Sequence, residues 1–216
     1  LDEYYLYVWD GIFQNQAEID NSPQQPVTPS PGDLKIKDVN GDKVVNDKDR
    51  TYISGKYPAY QYAVNLGINW KGFDFSAQLY GSQGQKVYVS GWGIEPFRQG
   101  SVPTTDWRNR WTPTNPSTTM PKIYSADGYA PVQNYASTYY LKDASFMRLK
   151  NIQLGYTIPT SILTKAGARS LRVYFAADNV FTASKYPGLD PERIGSGLYV
   201  TYPQVRTFTF GATVQF

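Results

Sequence analysis

The stretch TFTFGATVQF, residues 207–216, alternates apolar and polar side chains without a break. Phe208, Phe210, Ala212, Val214 and Phe216 share one parity, and Thr207, Thr209, Gly211, Thr213 and Gln215 take the other. Successive side chains of a strand point to opposite faces, so this period of two predicts a strand with one apolar and one polar face. The stretch YQYAVNLGINW, residues 60–70, repeats the pattern. Tyr60, Tyr62, Val64, Leu66, Ile68 and Trp70 oppose Gln61, Ala63, Asn65, Gly67 and Asn69. Its length suits a membrane-crossing strand of about 9–11 residues.

Further strands follow outward from these two. Phe73, Phe75, Ala77 and Leu79 oppose Asp74, Ser76, Gln78 and Tyr80, and the tight Lys71-Gly72 connection makes a hairpin with the strand before. Leu171, Val173, Phe175 and Ala177 form another apolar face opposite Arg172, Tyr174 and Asp178. In Phe146–Ile158 the residues Ile152, Leu154, Tyr156 and Ile158 are in phase, but Arg148 and Lys150 break it. That break predicts a bulge or an exit from the membrane. Tyr4–Phe13 is a poorly phased sixth candidate.

Connectors alternate in length. Lys71-Gly72 and Pro159–Ser170 are short, the latter predicted to carry one helical turn closed by Gly167. Gln14–Tyr57, Gln85–Ser145 and Thr182–Pro203 are long. Outer-membrane barrels have short periplasmic turns and long extracellular loops. The predicted fold is therefore all-β: about six C-terminal antiparallel strands of a large transmembrane β-barrel with long extracellular loops and a periplasmic C-terminus. This orientation predicts an aromatic girdle of Trp70, Phe73, Tyr156 and Phe216 at one height. A soluble β-sandwich shows the same alternation. Strand length, lopsided loops and a polar face of Thr, Gln, Asn and Gly favour the membrane. About eight strands is the minimum for closure, so further strands are expected outside residues 1–216. Leu1, with no initiator Met or apolar signal segment before it, fits a chain shortened by processing or truncation.

Composition removes several chemistries from the 216-residue chain. It has neither Cys nor His, so thiolate catalysis, disulfides and His-based triads are absent, and an enzyme is not expected. The net charge of +3 is scattered, which gives nucleic-acid binding no support. No run of about 18 apolar residues is present to make a membrane helix. The negative mean hydropathy does not argue against a barrel, whose strands hide from hydropathy averages.

Several stretches, in order, resemble SusC/RagA-type TonB-dependent transporters. They are DGIFQNQAEID (10–20), PGDLKIKDVNGDKVVNDKDRTYISG (31–55), NWKGFDF (69–75) and YLKDASFMRLKNIQLGYTIP (140–159), then VYFAADNVFTASKYPGLDPE (173–192) and FTFGATVQF (208–216). The resemblance implies that residues 1–216 are the C-terminal portion of a nutrient importer in the outer membrane of a Gram-negative bacterium. Such a barrel has about 22 strands and a plugged lumen. The family works with a SusD-like surface lipoprotein, takes up glycans or peptides, and draws energy from TonB through an N-terminal part not included here. A terminal aromatic strand resembles the signal read by the barrel-assembly machinery. The leading alternative is a secreted β-sandwich carbohydrate-binding or interaction module with a dockerin-like calcium loop.

That loop is DVNGDKVVNDKD, residues 38–49. Asp38, Asn40, Asp42, Asn46 and Asp49 stand at positions 1, 3, 5, 9 and 12 of an EF-hand spacing, with the Val44 carbonyl at position 7. Calcium takes six to eight oxygens, which this spacing would gather around one structural ion. Asp49 in place of the terminal Glu resembles dockerin-type loops, whereas Lys43 stands where Gly makes the sharp turn. A plain Asn-Gly turn in a solvated acidic loop accounts for the same residues. In the second long connection, Trp92, Trp107 and Trp111 with Arg98, Arg108 and Arg110 suit sugar rings or carboxylates. Packing within the loop, or against a lid protein, accounts for them more readily. Asp178 and Asn179 are expected near a strand end facing the lumen.

Overall fold

A computed structural model describes residues 3–89, 95–97, 102–124, 135–163, 167–192, 202 and 204–216. In chain order its strands are β1 (Glu3–Tyr7), β2 (Trp9–Ile12), β3 (Leu34–Ile36), β4 (Arg50–Ser54), β5 (Tyr60–Trp70) and β6 (Phe73–Gln83). They continue with β7 (Lys86–Tyr88), β8 (Leu141–Asp143), β9 (Phe146–Ile158), β10 (Ser170–Ser184) and β11 (Thr207–Gln215). Two short helices, α1 (Gln16–Asp20) and α2 (Thr160–Leu163), interrupt them.

The long strands make one five-stranded antiparallel sheet in the order β11-β10-β9-β6-β5. Each strand pairs with the next long strand in the chain, as a barrel wall requires. Lys71 and Gly72, with φ of 47° and 87°, turn β5 into β6. Positive φ at both central residues matches the right-handed strand twist of a two-residue hairpin. Between β9 and β10, α2 supplies the expected single turn, and Gly167 takes the left-handed φ of 69° expected at its close.

The expected break at Arg148 and Lys150 is a β-bulge. Gln78 pairs with Asn151 and Leu79 with Leu149, leaving Lys150 as the extra residue. A second irregularity answers it on β10, where Asp178 pairs with Asn151 but Phe181 with Leu149. Asn179 absorbs that step with a φ of 52°.

Tyr4–Phe13 forms two short strands instead of one spanning strand. Here β1 pairs with β4 and β2 with β3, outside the five-stranded sheet. The long connections also pair with themselves, since β7–β8 extends the β6–β9 hairpin. Their core gathers Tyr7, Ile12, Leu34, Ile36, Val45, Trp111, Tyr139 and Tyr140. A β-sandwich needs a second large sheet packed on the apolar face of the first, and among the described residues the long strands form one large sheet.

Candidate functional site

The site is the two-faced wall and the loop body above it. Paired residues of neighbouring strands point to the same face, so the registers define rows. One face carries the rows Trp70–Phe73–Tyr156–Val173–Ala212, Ile68–Phe75–Leu154–Phe175–Phe210 and Leu66–Ala77–Ile152–Ala177–Phe208. Above the bulge it continues through Val64, Leu79, Leu149 and Phe181. Leu66 is 57% exposed, Ile68 61% and Phe210 80%. A contiguous apolar face of this breadth, uncovered by protein, fits hydrocarbon rather than water.

The band also has the right height. Tyr60 and Trp70 lie ten steps apart, roughly 33 Å along the strand. A strand tilt of about 40° turns that into roughly 25 Å, the height of an outer-membrane apolar band between aromatic girdles. Trp70, Phe73 and Tyr156 share the lower row, with the Phe73 and Tyr156 rings 4.5 Å apart. Phe216 does not join them: Ala212 takes that row on β11, four residues earlier.

The opposite face carries Asn69–Asp74–Gly155–Tyr174–Gly211, Gly67–Ser76–Gln153–Ala176–Thr209 and Asn65–Gln78–Asn151–Asp178–Thr207. Thr209 and Thr213 thus lie opposite Phe208 and Phe210, in the predicted parity. Arg172 reaches across β9 to Asp74, with Nε 2.9 Å from Oδ1 and a second bond of 2.5 Å from Nη2 to Oδ2. It passes directly over Gly155, where a Cβ would lie 2.4 Å from both partners. Tyr174 covers Gly211 in the same manner. Asp178 accepts from Asn151 at 2.7 Å, and the Asn179 amide donates to the Val205 carbonyl at 3.0 Å. Asp178 thus lies on the polar face, and Asn179 sits at the step in β10.

At the bulge the polar face gains a charge network. Arg148, 3% exposed, donates to Thr182 Oγ1 at 2.9 Å, to Asp190 at 2.7 Å and to Glu192 at 2.8 Å. Lys150 donates to the other Glu192 oxygen at 3.0 Å and lies over the Tyr80 ring. Asp190, 2% exposed, also accepts the amides of Glu192 and Gln204. Burial pushes the Asp190 carboxyl up, but those amides and Arg148 outweigh it and hold it below the ordinary aspartate value. The sequence signalled Arg148 and Lys150 only as a break in phase. Their partners lie about 40 residues away, beyond any local pattern.

In the loop body the Asp38–Asp49 segment is wound tightly. Asp38 accepts the amides of Gly41 and Lys43 at 2.7 and 2.8 Å. Asn40 accepts that of Asp42, Asp42 that of Val44, and Asn46 that of Lys48. Asp49 is fully buried and accepts the amides of Val39, Asn40 and Asn46. Burial raises its carboxyl, yet these amides and a contact with Asp38 leave it below the ordinary value. Lys43 adopts the left-handed φ of 67° that Gly usually supplies at this position. The Val44 carbonyl accepts from the Asn46 side chain at 3.0 Å. Among the described residues no group of three or more His, Cys, Asp or Glu is placed to hold a metal. A cation here would therefore depend on the amide and carbonyl oxygens of Asn40, Asn46 and Val44 as well.

The tryptophans of the second connection are packing residues. Trp107 and Trp111 are buried, Trp111 donates to Gln14 Oε1 at 3.2 Å, and its ring lies against Gly32. Arg110 turns back to the Trp107 carbonyl, while Arg108 is exposed. Trp92 and Arg98 lie outside the described residues. A cluster missed in the sequence joins the first two connections: buried Asp33 accepts from the Tyr124 hydroxyl at 2.7 Å and the Ser30 amide at 2.8 Å, with Lys122 at 3.6 Å. Burial, together with Asp33, raises the Tyr124 hydroxyl above its ordinary value.

An apolar belt outside, a hydrogen-bonded polar lining inside and a packed loop body above define a segment of an outer-membrane β-barrel. No protein-family model matches the chain. It is 30% identical over its whole length to TonB-dependent receptor P3 of Formosa agariphila, covering 22% of that protein. It is 33% identical over 83% of its length to TonB-dependent receptor SusC of Bacteroides thetaiotaomicron, covering 17% of it. Among solved structures, the RagAB peptide importer in its open-open state matches with a TM-score of 0.70 and 25% identity. That match covers 99% of this chain and 22% of the other. The chain therefore spans about a fifth of the length of the relatives it matches. It belongs to the TonB-dependent receptors, as a segment of a SusC/RagA-type transporter, and TonB-dependent receptors are outer-membrane proteins.

Proposed function

We propose that residues 1–216 form the C-terminal portion of the barrel of an outer-membrane nutrient importer. The barrel takes in glycans or peptides with a SusD-like surface lipoprotein, and TonB drives it through a part of the protein outside this chain. The observation that carries the reading is the pairing of one unbroken apolar face with one hydrogen-bonded polar face over five consecutive antiparallel strands. The likeness to the RagAB peptide importer supports import, and the resemblance to SusC/RagA-type transporters implies the lipoprotein partner. The short Lys71-Gly72 and α2 connections lie on the periplasmic side with the C-terminus, and the long connections lie outside the cell. The test is fractionation of the native protein, with affinity purification from mild detergent. Recovery in the outer membrane with a co-purifying lipoprotein supports the reading. Recovery in a soluble or secreted fraction overturns it.

The Asp38–Asp49 loop takes a structural calcium in this reading. The left-handed conformation of Lys43 and the approach of Asp38 to Asp49 support it. Asp38, Asn40, Asp42, the Val44 carbonyl, Asn46 and Asp49 would supply the oxygens. Calorimetry of the intact protein checks this, and the absence of heat on adding calcium counts against it.

A further inference from the structure

The long connections are held in two different ways. The first two share an apolar core, to which Leu34 and Ile36 contribute from one side and Trp111 and Tyr140 from the other. The connection after β10 adds Tyr186 to a small cluster with Val87, Val89 and Ala144. Its flanks are tied to the wall by charge. Asp190 and Glu192 stand on one flank and Gln204 on the other, and all three meet at Arg148 or its partners.

Geometry makes Arg148 the centre of this tie. On β9 below the bulge, even-numbered residues such as Ile152 and Leu154 face outward. Without the extra residue Lys150, the same phase would send Arg148 into the membrane. The bulge on β9 turns Arg148 to the polar face beside Lys150, and the step on β10 sets Thr182, which keeps the even parity of Asp178, opposite Arg148. The β9 strand is also the middle one of the sheet, so closing the rest of the barrel leaves these contacts as they are. One planar guanidinium then holds two carboxylates and the Thr182 hydroxyl on three separate nitrogens, a fixed fork that the point charge of a lysine does not reproduce.

We infer that Arg148 is a positioning residue: with Asp190 and Glu192 it forms an ionic latch that clamps both flanks of the β10–β11 connection to the lumen wall. An apolar core opens only when its elements come apart. Charged groups regain water when they separate, so the flanks at Asp190, Glu192 and Gln204 can release locally while the strands stay paired. The latch sets the shape of the lumen mouth above β9 and β10, and it rests on the reading of the polar face as an importer lumen.

Hydrogen exchange on the full-length protein in outer-membrane vesicles tests the latch. In R148M, and separately in D190N, the amides of Glu192 and Gln204 should exchange on the order of 10- to 100-fold faster, as expected for losing a charged partner. Amides of Arg172–Ala176 in β10 should keep their protection. The double variant R148M/D190N should exchange no faster than the faster single variant, because both remove one interaction. R148K should fall between wild type and R148M. Unchanged exchange in both single variants overturns the latch. So does a multiplicative double variant, or an equal loss of protection in β10, which would make Arg148 merely structural. A separate arm labels L189C on intact cells with a membrane-impermeant maleimide. Failure to label refutes the outward orientation of the connection, and the exchange data still judge the latch.

Discussion

Placing an arginine at Leu66 tests the two-faced wall directly. Leu66 stands four residues above Trp70 on β5, roughly 13 Å along the strand and about 10 Å in height at the usual tilt. With an apolar band of about 25 Å, that is within a few ångströms of the midplane. Arginine on the lipid face costs about 2–4 kcal/mol at the midplane and about 0–1 kcal/mol near the interface. L66R should therefore lower the folded-to-unfolded ratio by about 30- to 700-fold, at a tenfold change per 1.4 kcal/mol. W70R, at the girdle, should lower it about fivefold or less by the same conversion. N65R, one residue away on the polar face opposite Gln78, should stay within about 0.5 kcal/mol of wild type. The assay is refolding of the full-length protein into lipid vesicles across a urea series, with the folded fraction read by heat-modifiable gel migration. If N65R is the damaging substitution and L66R the tolerated one, the parity of the wall is reversed and the barrel reading fails.

Four further outcomes follow from particular contacts. Gly155→Ala places a methyl where Arg172 and Asp74 meet, so it should break the two-pronged pair and cost about 1–3 kcal/mol in the same urea assay. Trp111→Ala empties a buried site between the first two connections, and about 3–5 kcal/mol should be lost from the loop body, read as faster hydrogen exchange at Gly32 and Lys122. Asp49 has a folded value below the ordinary one, so its stabilisation is complete above the unfolded value of about 3.9 and is lost as pH falls through the lower folded value. Protection of the Val39 and Asn46 amides should then be flat from about pH 5 to 8 and fall only below about pH 4. Asp190 shares the sign, so acid should release the Glu192 and Gln204 amides in the same window.

The wall was legible because period-two alternation is local information. In β5, β6 and β11 each side chain meets one environment along its whole face, lipid or lumen, and the sequence repeats that choice every second residue. The Lys71-Gly72 turn was legible for the same reason, since a two-residue hairpin needs particular backbone angles at fixed positions. At Lys150 the sequence showed that something changed but not what. A phase break is equally a bulge or the end of a strand, and only the pairing of Leu149 with both Leu79 and Phe181 decides between them. The loop body was far less legible. Short strands such as β3 and β7, three residues each, carry too few positions to show a period, and their partners are remote. For Trp111 the sequence favoured packing over ligand contact but could not name what it packs on. Its burial depends on Gly32, whose missing side chain leaves room for the ring.

The charge network shows why function concentrates where alternation fails. A strand that crosses lipid has no freedom on its outward face, because each outward position must be apolar. Placing two cations two residues apart is compatible with that constraint only if the lumen phase claims both. In β9 the phase below the bulge assigns even residues to lipid, so Arg148 and Lys150 need the register to slip by one residue beneath them. β10 slips in answer through the left-handed Asn179, which brings Thr182 under the guanidinium and leaves Phe181 outward. The same step ends the pairing of β10 with β11 at Asp178 and Thr207, opening the place where Asp190 and Gln204 enter. A bulge, a strained asparagine and a buried arginine thus have a common cause, the transition from a wall that only separates lipid from lumen to a rim that holds a loop.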